Sequence, residues 1–110
     1  MNNRDRTQLE RIRDELVFIQ RNVSGVDLDT FLDDEVLQHA VSMALVTIGE
    51  CANHLSEEFI AAHPDMAWIQ IIAVRNIAAH GYWQLDMTQI WQALKEDIPK
   101  LESFVSSQIE

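Results

Sequence analysis

Apolar residues return every three or four positions along almost the whole of this 110-residue chain. That period fits the 3.6-residue turn of an α-helix and not the two-residue alternation of a strand. From Arg4 to about Val23 the stripe is Leu9, Ile12, Leu16, Ile19 and Val23, and Ser24-Gly25 ends it. A second, longer helix is predicted from about Asp33 to Ala62, with Val36, Leu37, Ala40, Val41, Ala44, Leu45, Ile48, Ala52 and Leu55 turned inward. Its wide face of small residues suits a central position. His63-Pro64 breaks the chain, and a third helix is predicted from about Met66 to Gly81.

The fourth helix is predicted to open at Asp86, with Gln89 closing a capping box, and to bury Ile90, Trp91, Leu94, Ile98, Leu101 and Val105. Pro99 removes a hydrogen bond there, which predicts a kink or a restart with Asp97 capping the second half. The acid-rich connector from Val26 to Glu35 holds one short helical turn around Thr30-Phe31-Leu32. Its Asp27, Asp29, Asp33 and Asp34 are solvated and cap-forming, since the spacing of a calcium loop is absent. With only three Gly and two Pro, and no repeat or linker, residues 1–110 are predicted to form one domain. The expected fold is all-α, an antiparallel four-helix bundle with its last helix kinked near Pro99.

A single cysteine, Cys51, excludes an intrachain disulfide and a cysteine-based zinc site. Neither a secretory leader nor a run long enough to span a bilayer is legible, so a soluble, cytoplasmic protein without membrane contact is expected. The formal net charge is −10, which opposes broad attraction to nucleic acid. Its distribution is uneven. Arg4, Arg6, Arg11, Arg13 and Arg21 lie in the first 22 positions, and only Arg75, Lys95 and Lys100 follow. An RNA contact must therefore be local, DNA is not expected, and the acidic remainder equally suits a basic protein partner.

The polar chemistry is concentrated in Arg75-Asn76-Ile77-Ala78-Ala79-His80-Gly81-Tyr82, late in the apolar run that starts at Trp68. On a continuous helix Asn76 and His80 share a face, as do Arg75 and Tyr82, while Arg75 and His80 point roughly 140° apart. One isolated helix does not bring that arginine and that histidine onto one small substrate; a helix distortion or a second copy of the chain would. Cleaving RNA without a metal needs a base for the 2′-hydroxyl, an acid for the leaving 5′-oxygen and a cation for the phosphate. Arg75 suits the cation and His80 either proton transfer. A symmetric dimer would supply two of each, with Asn76 orienting a histidine or binding phosphate.

Plainer roles exist for the same residues. An arginine there is often a surface ion pair, and a histidine at a helix C-terminus often serves the helix dipole. The Tyr82 hydroxyl would serve equally to anchor a loop. Trp68 and Trp91 read as core or dimer-interface residues, and Trp83 as a loop-packing residue or a base-stacking one. Glu35/His39, Glu50/His54 and Cys51/His54 share helix faces, but the Glu-x-x-His spacing of a bundle metal site is missing. No metal and no cofactor are expected.

The string Arg75, Asn76, His80 and Tyr82, an R-x-x-x-x-H-x-Y motif with Asn after the Arg, resembles the signature of HepT toxins of the HEPN superfamily. The resemblance extends through Gly49-Glu50, His63-Pro64 and Trp68, then Asp86, Trp91, Asp97 and Pro99, covering roughly residues 40 to 104. It implies a helical, homodimeric, metal-independent endoribonuclease with a composite site built on Arg75 and His80. Cleavage through a 2′,3′-cyclic phosphate is expected. Asn76 and Glu50 are the supporting residues, Glu50 by facing the cleft. The resemblance also implies a nucleotidyltransferase antitoxin partner of the MntA type, which transfers AMP from ATP onto Tyr82. An adduct there would occupy Arg75 and repel RNA phosphate. Two alternatives are a non-catalytic HEPN module that pairs with such a nucleotidyltransferase and a simple helical dimerisation domain.

Overall fold

Four side-chain oxygens mark where helices begin. Asn2 accepts from the Asp5 amide at 2.7 Å, Asp27 from Thr30 at 2.8 Å, Asp34 from Leu37 at 3.0 Å and Ser56 from Phe59 at 3.1 Å. Each satisfies a donor that has no partner within the first turn of a helix. The helices they open are α1 (Asn3–Val23), α2 (Leu28–Asp33), α3 (Glu35–Asn53) and α4 (Glu57–Ala62), followed by α5 (Trp68–His80) and α6 (Trp83–Ile109). The computed structural model describes residues 1–80 and 83–109, leaving aside the side chains of residues 80 and 83–86. Among the described residues every regular element is a helix.

The four long helices close a ring: α1 packs on α3 and α6, and α5 packs on the same two, while α2 wedges between α3 and α6. Leu9, Ile12, Leu45, Ile48, Ile90, Leu101 and Val105 fill the centre, each almost wholly shielded from water. At ~25 cal/mol per Å² of apolar area, such side chains contribute roughly 1.5–3 kcal/mol each. Phe31 of α2 is fully buried and lies on Trp91 of α6 with ring centroids 5.2 Å apart, and Lys95 sits over the outer face of that indole. Gln38 of α3 donates to the Phe31 and Leu32 carbonyls at 2.9 Å, which ties α2 to the bundle. At the other end Phe59, His63, Trp68 and Phe104 form an aromatic cluster where α4, α5 and α6 meet.

Four expectations are corrected. The predicted second helix is two, because α3 ends at Asn53 and α4 restarts after Ser56. The cause lies far away in sequence. Asp5, only 2% exposed, accepts from the Ser56 amide at 2.8 Å and from its hydroxyl at 2.6 Å. Those bonds hold residue 56 extended as a cap, and they require α1 and α3 to run antiparallel. Val36, expected inward, is 81% exposed. The last helix starts at Trp83 rather than at Asp86, whose capping role falls on a side chain outside those described. It also runs unbroken through Pro99, so no restart capped by Asp97 occurs. Pro99 is exposed, which leaves the carbonyl freed by its missing N–H within reach of water.

Candidate active site

Gly49 of α3 faces Arg75 of α5 at the point where the two helices cross. A β-carbon built on residue 49 would overlap the Arg75 Cβ and lie 2.5 Å from its Cγ. Only a residue without a side chain admits that approach. The arginine stem therefore lies flat across α3, and the guanidinium emerges beside the next residue along, Glu50. Arg75 Nη2 donates to Glu50 Oε1, and Nη1 donates to Asn76 Oδ1 at 2.8 Å. The pair is part-exposed, with 34% of the Arg75 side chain and 41% of the Glu50 side chain accessible. Among the described residues the buried Nε has no acceptor.

The energetics of this cluster do not favour stability. A half-exposed ion pair contributes only about 0–1 kcal/mol. A buried N–H without a partner costs roughly 1–3 kcal/mol. Packing at Gly49 thus sets the course of the arginine stem, and Glu50 and Asn76 hold the guanidinium at its end. Local violations of this kind are expected where a side chain is held for a task.

Surroundings reinforce the point. On α3, Val36, Met43 and Glu50 recur at seven-residue intervals and so share a face; on α5, Ile69 and Asn76 do the same, with Ala73 between them. The Arg75 guanidinium joins the two rows by contacting Glu50 and Asn76, so both lie on one side of the α3–α5 pair. Val36, Met43 and Ile69 are 81%, 66% and 86% exposed. A polar cluster thus sits in a face that also exposes three large apolar side chains.

Of the residues singled out in the sequence, Arg75, Asn76 and Glu50 come together. His80 closes α5, one turn beyond Asn76 on the helix, but its side chain lies outside those described, and so does all of Tyr82 and of Gly81, the expected C-terminal residue of this helix. The stacking role considered for Trp83 lies outside them as well. Trp68 is buried and donates from Nε1 to the His63 carbonyl at 3.1 Å. Two of the pairs weighed as metal ligands, Glu50/His54 and Cys51/His54, part company. His54 Nδ1 lies 2.7 Å from the Glu50 backbone carbonyl, Cys51 is buried, and the Glu50 carboxylate is on Arg75. Among the described residues no three His, Cys, Asp or Glu side chains converge as a metal site. Burial pushes the Cys51 thiol above its usual range, with a smaller opposing pull from Arg11. Sequence reasoning missed the part played by Gly49. Its signal was present, since an isolated glycine inside a helical pattern marks a close approach.

An all-α bundle that presents an Arg-Asn pair near the end of its third long helix is a HEPN-like domain. The profile of the "HepT-like: Ribonuclease HepT-like" family matches residues 12–107, and the chain belongs to that family. It is 32% identical over 94 residues to "Probable ribonuclease HepT" of Thermococcus cleftensis, covering 86% of each chain. It is 33% identical over 100 residues to a protein named "Putative RNase" of Caldanaerobacter subterraneus subsp. tengcongensis, covering 91% of this chain and 89% of the other. A further "Putative RNase", of Methanocaldococcus jannaschii, is 31% identical over 80 residues and 73% of each chain. No solved structure gives a significant match. None of the helices among the described residues is long and apolar enough to cross a membrane.

Proposed function

We propose that this chain is a metal-independent endoribonuclease of the toxin class, acting in the cytoplasm as a homodimer. Arg75 binds the scissile phosphate and His80 transfers a proton, with Asn76 steadying the guanidinium. A nucleotidyltransferase antitoxin restrains the enzyme by transferring AMP to Tyr82. The observation that carries this reading is the position of Arg75: a half-exposed guanidinium, fixed by packing at Gly49, in the middle of a face whose apolar residues lack a cover. Membership of a ribonuclease family supports the reaction. The uncovered Val36, Met43 and Ile69 support a second copy of the chain lying over that face, which would bring two arginines and two histidines to one cleft.

The pairing of Arg75 with Glu50 favours a second reading, a non-catalytic module whose one cation in the motif is already neutralised. One experiment separates the two. Purified protein is incubated with RNA in EDTA, beside Arg75→Ala, His80→Ala and Met43→Glu, and each species is weighed by light scattering. The first reading expects wild-type dimers that cut RNA, dimers of the first two variants that do not, and an inactive monomer from Met43→Glu. Wild-type dimers that leave RNA intact would establish the binding module instead.

A further inference from the structure

We infer that Glu50 is the base that removes the 2′-hydroxyl proton, so that each chain carries its own proton acceptor beside its own arginine. The inference rests on the ribonuclease reading above. Transesterification needs two proton-transfer groups, and Arg75 cannot serve as either because it does not titrate in the accessible range. A composite site would supply the second group as a histidine from the other copy. The α3–α5 crossing already holds a candidate closer to hand.

The Glu50 carboxylate touches the cation on which the phosphate would sit. Oε1 takes one Nη2 proton, and among the described residues Oε2 has no hydrogen-bond partner. A carboxylate accepts at both oxygens, so one can hold the guanidinium while the other receives a proton. The guanidinium offers five N–H groups in a planar fork. Glu50 and Asn76 take one each from Nη2 and Nη1, which leaves a second N–H on both without a partner among the described residues, available to a phosphate oxygen. The attacking 2′-oxygen belongs to the same ribose as the phosphate's 3′-oxygen. A phosphate on the guanidinium beside the carboxylate would bring the 2′-hydroxyl to the Glu50 side of the site, and proton abstraction requires that it come within hydrogen-bond reach of a carboxylate oxygen. Gly49 makes this possible, because a side chain there would lift Arg75 off α3 and away from residue 50.

In the step itself, Glu50 takes the 2′-hydroxyl proton as the 2′-oxygen bonds to phosphorus. The P–O5′ bond breaks, and the departing 5′-oxygen collects a proton from the acid of the site, the role proposed for His80. The products are a 2′,3′-cyclic phosphate and a 5′-hydroxyl. Glu50 then returns its proton to water and the acid regains one, which closes the balance.

Glu50→Gln separates proton transfer from the two simpler roles of this residue. The amide that replaces the carboxylate keeps a carbonyl oxygen for Nη2 but has no basic oxygen. Wild type, Glu50→Gln and Glu50→Asp are assayed on a short RNA in EDTA between about pH 5 and 9, with binding measured on the same RNA carrying a 2′-deoxy residue at the cut. The expected result for Glu50→Gln is a loss of kcat of about 10²–10⁴-fold, with unchanged or tighter binding of the deoxy substrate. Glu50→Asp, which keeps a carboxylate, should recover part of the rate. A Glu50→Gln enzyme within about threefold of wild type would reduce Glu50 to a holder of Arg75, and a faster one would make it a damper. Loss of both rate and deoxy-RNA binding would likewise overturn the base and leave a positioning role. If wild type itself fails to cut RNA, the ribonuclease reading falls, and the base falls with it.

Discussion

Gly49 and Arg75 occupy space that two ordinary residues could not share: the Arg75 Cβ and Cγ fill the volume that a β-carbon on residue 49 would need. The contact is with the base of the arginine stem, not its flexible end, so the helices themselves must move to relieve it. Overpacking of this kind costs roughly 1–3 kcal/mol. An alanine in mid-helix returns about 0.5–1 kcal/mol of that through its better propensity. Gly49→Ala is therefore expected to destabilise by about 0.5–2 kcal/mol, read as a lower urea midpoint. A stability equal to or above wild type would show that the crossing has slack.

Asp5 and Ser56 are 51 residues apart and hold the join between α3 and α4. Asp5→Ala removes a buried acceptor and strands both the Ser56 amide and its hydroxyl. Charge-assisted hydrogen bonds contribute about 1.5–3 kcal/mol each and are not additive here, so a loss of about 2–4 kcal/mol is expected. Ser56→Ala should cost less, about 1–2 kcal/mol, since the amide bond to Asp5 survives while the cap to Phe59 goes. In the double-mutant cycle the two effects should overlap. Full additivity would mean that the bonds do not act together.

What the sequence made legible and what it hid follow from this contrast. Periodicity located α1, the short turn at Phe31 and the inward faces of α3 and α6, because those depend on local spacing. It ran straight across the break at Ser56, since Ala52, Leu55 and Phe59 keep the apolar rhythm there while the acceptor that forces the restart sits on α1. Val36 misled for a related reason. Hydrophobicity alone does not say whether an apolar residue faces its own core or an outer surface. At the site, Arg75 and Asn76 were conspicuous as polar residues in an apolar run. The seat beneath them was not, because a glycine at a helix crossing shows its purpose only once the partner helix is in place.

Stability should fall in acid partly through Asp27. Its carboxylate caps α2 by accepting from the Thr30 amide, and that bond holds its pKa below the usual 3.8. A lowered folded pKa means that the stabilisation is present above about pH 4 and is lost as pH falls through the folded value. Asp27→Asn keeps a capping oxygen but removes the titration. Between about pH 5 and 2.5 the variant's urea midpoint should drop less steeply than that of wild type, while the two stay close at neutral pH. Parallel curves would show that the cap does not titrate with folding.

The control proposed at Tyr82 follows from sequence position. Tyr82 stands two residues beyond His80, with which α5 ends, and seven beyond Arg75. AMP attached there adds a phosphodiester negative charge and an adenine, which would compete with RNA for the one guanidinium in the motif. Coexpression with a nucleotidyltransferase of the proposed kind should add the mass of one or more AMP groups, mapped to Tyr82 by peptide mass spectrometry, and RNA cleavage should fall with the modified fraction. Tyr82→Phe separates acceptor from scaffold, since it keeps the ring and removes only the oxygen that would carry AMP. The variant should cut RNA at the wild-type rate, gain no mass and stay active beside the partner. If Tyr82→Phe loses cleavage without any partner present, the hydroxyl belongs to catalysis or to the fold near His80. If the partner still adds AMP to Tyr82→Phe, the acceptor is another residue.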